Sequence, residues 1–183
     1  KSLSHRAGAV SIQGKNSVVD FSGCTFKGNT AKASGGAVSS YDGTVSFDQC
    51  HFESNVSNAT GGAIYNNSCR LTITGTTFKS NTSVTAAGAL SNEVGTVIID
   101  GCKFISNSSP NHGAAVCTYG EKLSGNDTIE GRAELYVYNT LFEDNGDDTA
   151  TDQGGAVKAH GNGDMVIVNS TFKGNGAKNG IIR

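Results

Sequence analysis

The sequence is short of proline, tryptophan and charge. It has one proline, no tryptophan and one methionine, and only 16% of its 183 residues are charged. A formal net charge of −2 gives no excess of basic side chains for phosphate backbones, which argues against nucleic-acid binding. No apolar run approaches the roughly 20 residues of a transmembrane helix, so we expect no membrane insertion. No signal peptide is visible, and we expect the chain to be an internal segment of a longer precursor.

Small and polar residues dominate instead. The chain has 25 glycines and is rich in serine, threonine and asparagine, all of them weak helix formers. Such a composition can belong to a disordered chain that lacks apolar area. Here the apolar residues recur at regular intervals, which favours a folded repeat protein.

Two short motifs alternate along the chain. The first is a Phe-x-x-Asn box, whose members are Phe26, Phe52, Phe78, Phe104, Phe142 and Phe172, with Asn29, Asn55, Asn81, Asn107, Asn145 and Asn175. The second is a small-residue box that ends in an aliphatic side chain, such as Gly61-Gly62-Ala63-Ile64. The first four phenylalanines lie 26 residues apart, and a period of this length is typical of a solenoid.

The residues before each phenylalanine alternate as in a strand with one buried face. Leu71 and Ile73, for example, flank the polar Thr72 ahead of Phe78. The position three residues before each box phenylalanine holds a residue type that tolerates a left-handed bend. These residues are Gly23, Gln49, Gly75, Gly101, Asn139 and Asn169. One strand per repeat cannot bury its face alone, so successive coils must stack with their backbones paired as parallel strands.

The sequence therefore predicts an all-β fold, a single-stranded parallel β-helix of about six coils in one segment, 1–183. We expect the box phenylalanines to form a buried column. We expect the box asparagines to pass amide hydrogen bonds from coil to coil. The small-residue box is interpreted as a tight corner followed by a strand, because no Gly-Lys-Ser/Thr sequence follows it as in a phosphate-binding loop.

The alternation of Phe-x-x-Asn with Gly-Gly-Ala-(Ile/Leu/Val) resembles the repeat of the polymorphic outer membrane proteins best known from chlamydiae. The resemblance covers residues 7–182. It implies a right-handed parallel β-helix that is secreted as an autotransporter passenger, exposed at a cell surface and engaged in adhesion. The same repeat occurs in large extracellular proteins of other bacteria and of some algae.

The period is broken twice. Phe104 and Phe142 lie 38 residues apart, and the extra residues fall at 119–131. We expect an inserted loop there, either a tolerated surface insertion or a partner contact. A second stretched segment, 143–153, is rich in carboxylates, and calcium binds several oxygen ligands from one loop. It is either a solvated acidic loop or a calcium site with the candidate ligands Asp144, Asp147, Asp148 and Asp152; no other cofactor is expected.

Three of the five cysteines fall in one column of the repeat. Cys24, Cys50 and Cys102 each precede a box phenylalanine by two residues, and we expect them inside, where a thiol packs as a small apolar group. Neighbouring coils bring Cys24 and Cys50 within disulfide range, but parallel side-chain directions disfavour the bond geometry. We therefore expect reduced thiols, with Cys69 and Cys117 outside the column and either free or paired elsewhere.

Seven Asn-x-Ser/Thr sequons occur in the chain. Those at Asn55, Asn81 and Asn107 belong to box asparagines that we expect inside, where no glycan fits. If the source is eukaryotic, the expected glycan acceptors are Asn58, Asn66 and Asn126.

Enzymatic activity is the function that the sequence favours least. Many β-helices act on polysaccharides, and they need acidic or basic residues concentrated on one exposed strand face. The outward positions here are interpreted as Ser, Thr, Lys and single Asp residues. The four histidines, at positions 5, 51, 112 and 160, occupy unrelated places in the repeat, so we expect neither a catalytic triad nor a metal site.

We expect a non-enzymatic protein that is secreted or exposed at the cell surface. It acts as an adhesive passenger or spacer module, with a host or neighbouring surface protein or glycan as partner. The alternative is a structural subunit of an extracellular stalk or filament, in which other copies or flanking coils stack end to end. A polysaccharide-active β-helix is the minor alternative.

Overall fold

The coil, from one small-residue box to the next, is the repeating unit of the structure. The computed structural model describes residues 7–120, 131–146 and 155–176. These residues contain no helix and form a parallel β-solenoid of about six coils with a basic spacing of about 26 residues. The predicted fold class is confirmed.

One long sheet carries the strands that begin at the small-residue boxes and those that precede the phenylalanines. Its ten strands are β1 (Val10–Gln13), β2 (Val18–Ser22), β5 (Val38–Tyr41), β6 (Thr44–Asp48), β9 (Ile64–Thr74), β12 (Leu90–Asp100), β14 (Val116–Gly120), β15 (Ala133–Tyr138), β17 (Val157–Gly161) and β18 (Gly163–Val168). Strands β9 and β12 run through both halves of this sheet and join them.

Two smaller sheets complete the coils. The six strands of the phenylalanine sheet are β3 (Thr25–Lys27), β7 (His51–Glu53), β10 (Thr77–Lys79), β13 (Lys103–Ile105), β16 (Leu141–Glu143) and β19 (Thr171–Lys173). The third sheet contains β4 (Thr30–Ala31), β8 (Val56–Ser57) and β11 (Thr82–Ser83). All pairs are parallel and equivalent residues face each other, as Phe78 does with Phe52 and Phe104.

The core is a set of side-chain columns with one member per coil. Leu71 and Ile73 are fully buried, whereas Thr72 between them faces outward, as the alternation predicts. The six box phenylalanines form the phenylalanine stack, with ring centroids 4.6–5.0 Å apart and interplanar angles of 2–10°. Apolar burial of this kind supplies the main stabilising free energy of the coils.

The box asparagines form the asparagine ladder beside this stack. The Oδ1 of Asn81 accepts hydrogen bonds from the main-chain N–H of Asn55 at 3.0 Å and from its Nδ2 at 2.9 Å. The Nδ2 of Asn81 donates to the Oδ1 of Asn107 and to the carbonyl of Phe52, both at 2.9 Å. The buried amide is thus fully hydrogen-bonded, which removes the desolvation penalty that a buried polar group otherwise carries.

Two backbone positions per coil restrict side-chain size differently. The six positions predicted to bend left-handed all have φ between 49° and 63°, and Gln49 shows that a larger residue is accepted there. A Cβ on Gly101 would find no atom nearer than 4.0 Å. A Cβ on Gly62 of the small-residue box would instead lie 1.9 Å from the carbonyl oxygen of Gly88 in the next coil. Glycine is needed at Gly62 because the stacked backbones touch there, whereas Ala114 takes the equivalent corner position of a later coil.

The two insertions leave the coil register unchanged. Phe104 pairs with Phe142 across the 38-residue spacing. Tyr119 and Gly120, predicted to begin the loop 119–131, instead end strand β14, and residues 121–130 lie outside the described residues. In the predicted acidic loop 143–153, Glu143 ends strand β16, and residues 147–153 lie outside the described residues.

We expect Phe78→Ala to lower the free energy of unfolding by about 3–5 kcal/mol, because it empties one rung of the phenylalanine stack. Asn81→Ala should cost roughly 1–3 kcal/mol through the ladder partners left unsatisfied. Thr77→Ala, on the outer side of the same strand, serves as the control and should be near neutral. Urea denaturation ranks the three variants by their loss of unfolding free energy. Equal losses for Phe78→Ala and Thr77→Ala would contradict the assignment of Phe78 to the interior and Thr77 to the outer side.

Gly62→Ala should destabilise the protein by about 3 kcal/mol or more, because the new methyl group overlaps a backbone atom that cannot rotate away. Gly101→Asn is the matched control: it keeps a residue type that tolerates positive φ and has open space, so we expect a change below about 1 kcal/mol. Thermal unfolding followed by circular dichroism compares the two variants. Similar stability of both would show that the coils are not in contact at Gly62.

Candidate binding sites on the outer surface

The outer face of the long sheet changes from polar to apolar along the solenoid. Its central column consists, in coil order, of Asp20, Ser46, Thr72, Ile98, Tyr136 and Val166. The adjacent column consists of Ser22, Asp48, Thr74, Asp100, Tyr138 and Val168. We call Ile98, Tyr136, Tyr138, Val166 and Val168 the aromatic face. Val166 and Val168 are 43% and 48% exposed.

Charged and polar groups border the aromatic face. Arg132 forms an ion pair with Asp164, and Thr96 donates a hydrogen bond to the Glu134 carboxylate at 3.0 Å. Arg70 joins Thr96, Glu134 and members of the aromatic face around a shallow depression of about 290 Å³. The interpretation of the outward positions as Ser, Thr, Lys and single Asp is therefore wrong for the last three coils.

A groove lies on the half of the long sheet that begins at the small-residue boxes. Thr60, Thr85, Glu93, His112 and Tyr119 line it, and its volume is about 330 Å³. Thr60 and His112 stand at equivalent corner positions, just before the small-residue boxes that begin coils 3 and 5, and both are bridged to Ala86. Glu93 and Tyr119 project from strands β12 and β14, so the groove separates the corners from the strands.

Two of the histidines meet beside this groove. The rings of His112 and His160 stack with centroids 5.9 Å apart, and Tyr119 lies edge-on to both. Lys158 is only 3% exposed, and its Nζ lies 2.7 Å from the Nδ1 of His112. The sequence places the two histidines at unrelated repeat positions, and their contact was missed. Aligning the last two small-residue boxes would have paired Tyr119 with His160, as β14 and β17 do.

Glu93 is held at an irregularity of strand β12, where the register with β9 shifts between Asn92 and Val94. Its Oε2 accepts a short hydrogen bond from the Tyr65 hydroxyl and a second one, of 3.0 Å, from the Nδ2 of Asn67. Burial, reinforced by the hydrogen bond to Glu93, raises the pKa of Tyr65 far above its ordinary value. The phenol therefore stays protonated and keeps the carboxylate in place.

The structure describes one of the four candidate calcium ligands. Asp144 is exposed, while Asp147, Asp148 and Asp152 lie outside the described residues, as does His5. Among the described residues, no three histidine, cysteine, aspartate or glutamate side chains are placed to hold a metal ion.

Asn66 is wrongly predicted as a glycan acceptor. It is fully buried and belongs to a second polar ladder, formed by Ser40, Asn66, Asn92 and Thr118. The Ser40 hydroxyl donates to its Oδ1 at 3.0 Å, and its Nδ2 donates to the Oδ1 of Asn92 at 2.8 Å. Asn58 is exposed, and Asn126 lies outside the described residues.

All five cysteines are free thiols. Cys24 is partly exposed and the other four are buried. Burial raises the pKa of Cys69 and Cys102 to about 11 and that of Cys117 to about 12. Because the thiolate is the reactive form, these three side chains are protected chemically as well as sterically.

We expect Cys69, Cys102 and Cys117 to resist alkylation in the folded protein. At pH 8 a pKa of 11 in place of 9 lowers the thiolate fraction about 100-fold. Iodoacetamide labelling followed by peptide mass spectrometry should modify Cys24 first, and all five cysteines once urea is added. Labelling of Cys117 as fast as Cys24 under folding conditions would contradict the burial of its column.

Comparison with known families identifies the repeat. The Chlamydia polymorphic membrane protein repeat matches residues 23–41 and 49–67. Each matched stretch runs from before a Phe-x-x-Asn box to just beyond the next small-residue box. No curated protein and no solved structure matches the chain. The described residues include no helix that is long and apolar enough to span a membrane. We conclude that two stretches of this chain match the Chlamydia polymorphic membrane protein repeat and that the structure stacks them as successive coils of a parallel β-solenoid.

Proposed function

We propose that this chain is a non-enzymatic, extracellular adhesive module that binds a partner protein through the aromatic face. The repeat family is associated with the outer membrane and the cell surface, which supports a surface location. The observation that carries the proposal is the change of the outer sheet face from Asp20, Ser46 and Thr72 to Ile98, Tyr136 and Val166 along one column.

An apolar patch of this kind has a free-energy cost in water. Single exposed apolar residues are ordinary, but a contiguous patch with a polar border marks an interaction site. The aromatic face is contiguous across three coils, since Ile98 pairs with Tyr136 and Tyr136 with Val166. Core packing does not account for it, because the inward partners of the same strands, such as Leu135 and Val137, already fill the interior.

The chemistry of the patch favours a protein over a glycan. Tyrosine and arginine are enriched at protein interfaces, where an apolar centre is surrounded by a polar rim. Tyr136 and Tyr138 lie near the centre here, and the Arg132–Asp164 pair lies at the edge. Val166 and Val168 offer no hydrogen bonds, so the hydroxyl groups of a sugar placed on them would lose their water partners without replacement.

The sheet also presents these side chains on a rigid support. Strand β15 is paired on both sides, with β12 and with β18, so its backbone hydrogen bonds are made before a partner arrives. A surface that is ordered in advance loses little conformational entropy on binding. The proposed role therefore uses the solenoid as a scaffold and the side chains of three coils as the contact.

Replacing Tyr136 and Tyr138 together by alanine should weaken adhesion about tenfold or more, because tyrosines at the centre of an interface carry much of its binding free energy. The measurement is binding of the fluorescently labelled chain to a panel of cultured animal and bacterial cells. Thr72→Ala, in the polar part of the same column, is the matched control and should leave binding unchanged.

Treatment of the cells identifies the chemistry of the partner. Protease treatment should abolish binding, whereas glycosidase treatment should preserve it. The proposal would be contradicted if no cell type bound the chain, if the double variant bound as the parent does, or if glycosidases alone removed binding.

A stalk or filament subunit is the second candidate. The asparagine ladder favours it, because the ladder has one direction. Each rung between Asn29 and Asn175 accepts at its Oδ1 from the preceding coil and donates from its main-chain N–H to the following one, a pattern that further coils can continue. Stacking of a second copy would extend the ladder, and sedimentation velocity would then show oligomers that grow with concentration.

A further inference from the structure

We propose that the groove lined by Thr60, Thr85, Glu93, His112 and Tyr119 is a binding site for a neutral saccharide, separate from the aromatic face. The geometry combines a held carboxylate, hydroxyl groups and a fixed aromatic ring in one depression of about 330 Å³. This volume lies at the lower end of the range found for small-molecule sites.

A column of buried strand residues beside the groove contains two small members between two large ones. Tyr65, Ser91, Cys117 and Lys158 occupy equivalent positions in coils 3 to 6. The two large members hold groove residues in place, since the Tyr65 hydroxyl donates to Glu93 and the Nζ of Lys158 lies 2.7 Å from the Nδ1 of His112. Ser91 faces the same side of its strand as Glu93, and its buried hydroxyl has no partner among the described residues.

Glu93 supplies a hydrogen-bond acceptor that is already oriented. Its Oε2 is occupied by Tyr65 and Asn67, while its Oε1 accepts no hydrogen bond from any described residue. A carboxylate with one oxygen fixed and the other open can accept from a ligand hydroxyl with little loss of side-chain entropy. The exposed Thr85 and the partly exposed Thr60 add hydroxyl groups that both donate and accept.

Tyr119 supplies the aromatic surface. His112 and His160 contact its ring edge-on, with interplanar angles of 77° and 82°, and this contact fixes the orientation of the ring. An aromatic ring is apolar on its face, so it can pack against the C–H groups of a sugar while the neighbouring polar groups bind its hydroxyls. Burial raises the pKa of Tyr119 well above its ordinary value, so the ring carries no charge there.

Other ligand classes fit the groove less well. A simple cation would meet Glu93, but also His112 with the Lys158 ammonium 2.7 Å from its ring nitrogen. A flat apolar ligand would contact Tyr119 but would leave the Glu93 oxygen and both threonine hydroxyls without partners, which is costly. A polyhydroxylated neutral ligand satisfies all of these groups at once.

The test uses the whole chain and defined sugars as probes. Saturation-transfer NMR measures contact with glucose, galactose, mannose and N-acetylglucosamine, with N-acetylneuraminic acid as an anionic probe and tetramethylammonium as a cationic one. We expect at least one neutral sugar to bind with a dissociation constant below about 10 mM. Neither charged probe should bind as tightly as that sugar.

Two variants locate the binding. Glu93→Gln keeps the shape of the side chain, and Thr85→Ala removes an exposed hydroxyl together with its neighbouring methyl group; each should weaken sugar binding about tenfold or more. Thr77→Ala, on another sheet, is the matched control and should bind as the parent does. A thermal melt of each variant, unchanged from the parent, separates loss of the ligand contact from loss of the fold.

Three outcomes would overturn the proposal: no neutral sugar binds, a charged probe binds more tightly than every neutral sugar, or sugar binding survives both groove variants. The result is independent of the proposed adhesion. Tyr136 and Tyr138 are not part of the groove, so the double variant that tests the aromatic face should keep its sugar binding.

Discussion

The fold depends on one repeated hydrogen-bonding requirement, that of the buried asparagine amide. The Oδ1 of Asn81 accepts from Asn55 on one side, and its two amide hydrogens are donated to the Oδ1 of Asn107 on the other side and to the carbonyl of Phe52. A slip of one residue would leave buried polar groups unpaired in every coil and would also separate the phenylalanine rings. The ladder therefore fixes the register, and the apolar columns supply most of the stabilisation. Insertions are tolerated only where they leave the coil path, as between Phe104 and Phe142.

Because the inward side chains fix the register of the coils, the outward side chains are free to vary. Each inward column repeats nearly the same side chain, but the outward columns change from coil to coil, from Thr72 to Tyr136 on one half of the long sheet and from Tyr65 to Ser91 on the other. These changes do not disturb the core, because in a strand the outward residue makes no contact with the interior. The aromatic face arises in this way from large apolar residues, and the groove lies where Glu93 and Tyr119 of the strands face corner side chains.

The repeating interior could be predicted from the sequence, whereas much of the outer surface could not. Period, facing and the left-handed positions follow from residue type alone, which is why Gln49 and Asn139 were found together with the glycines. Asn66 was misjudged because its sequon suggests a surface, whereas its burial depends on Asn92 in the next coil. The contact of His112 with His160 brings together two coils whose sequence spacing departs from 26 residues. An alignment of the repeats on their phenylalanines does not place these two histidines side by side.

The separation of a constant interior from a variable outer surface explains why binding sites on this solenoid need several coils. One coil offers only one outward side chain per column, which is too little surface for a specific contact. The aromatic face draws on three adjacent coils, and the groove is lined by Glu93 and Tyr119 of two neighbouring strands and by the corner residues Thr60, Thr85 and His112. Loss of register between any two of these coils would therefore divide the site as well as the core. The asparagine ladder, although remote from both surfaces, is consequently a condition for each of them.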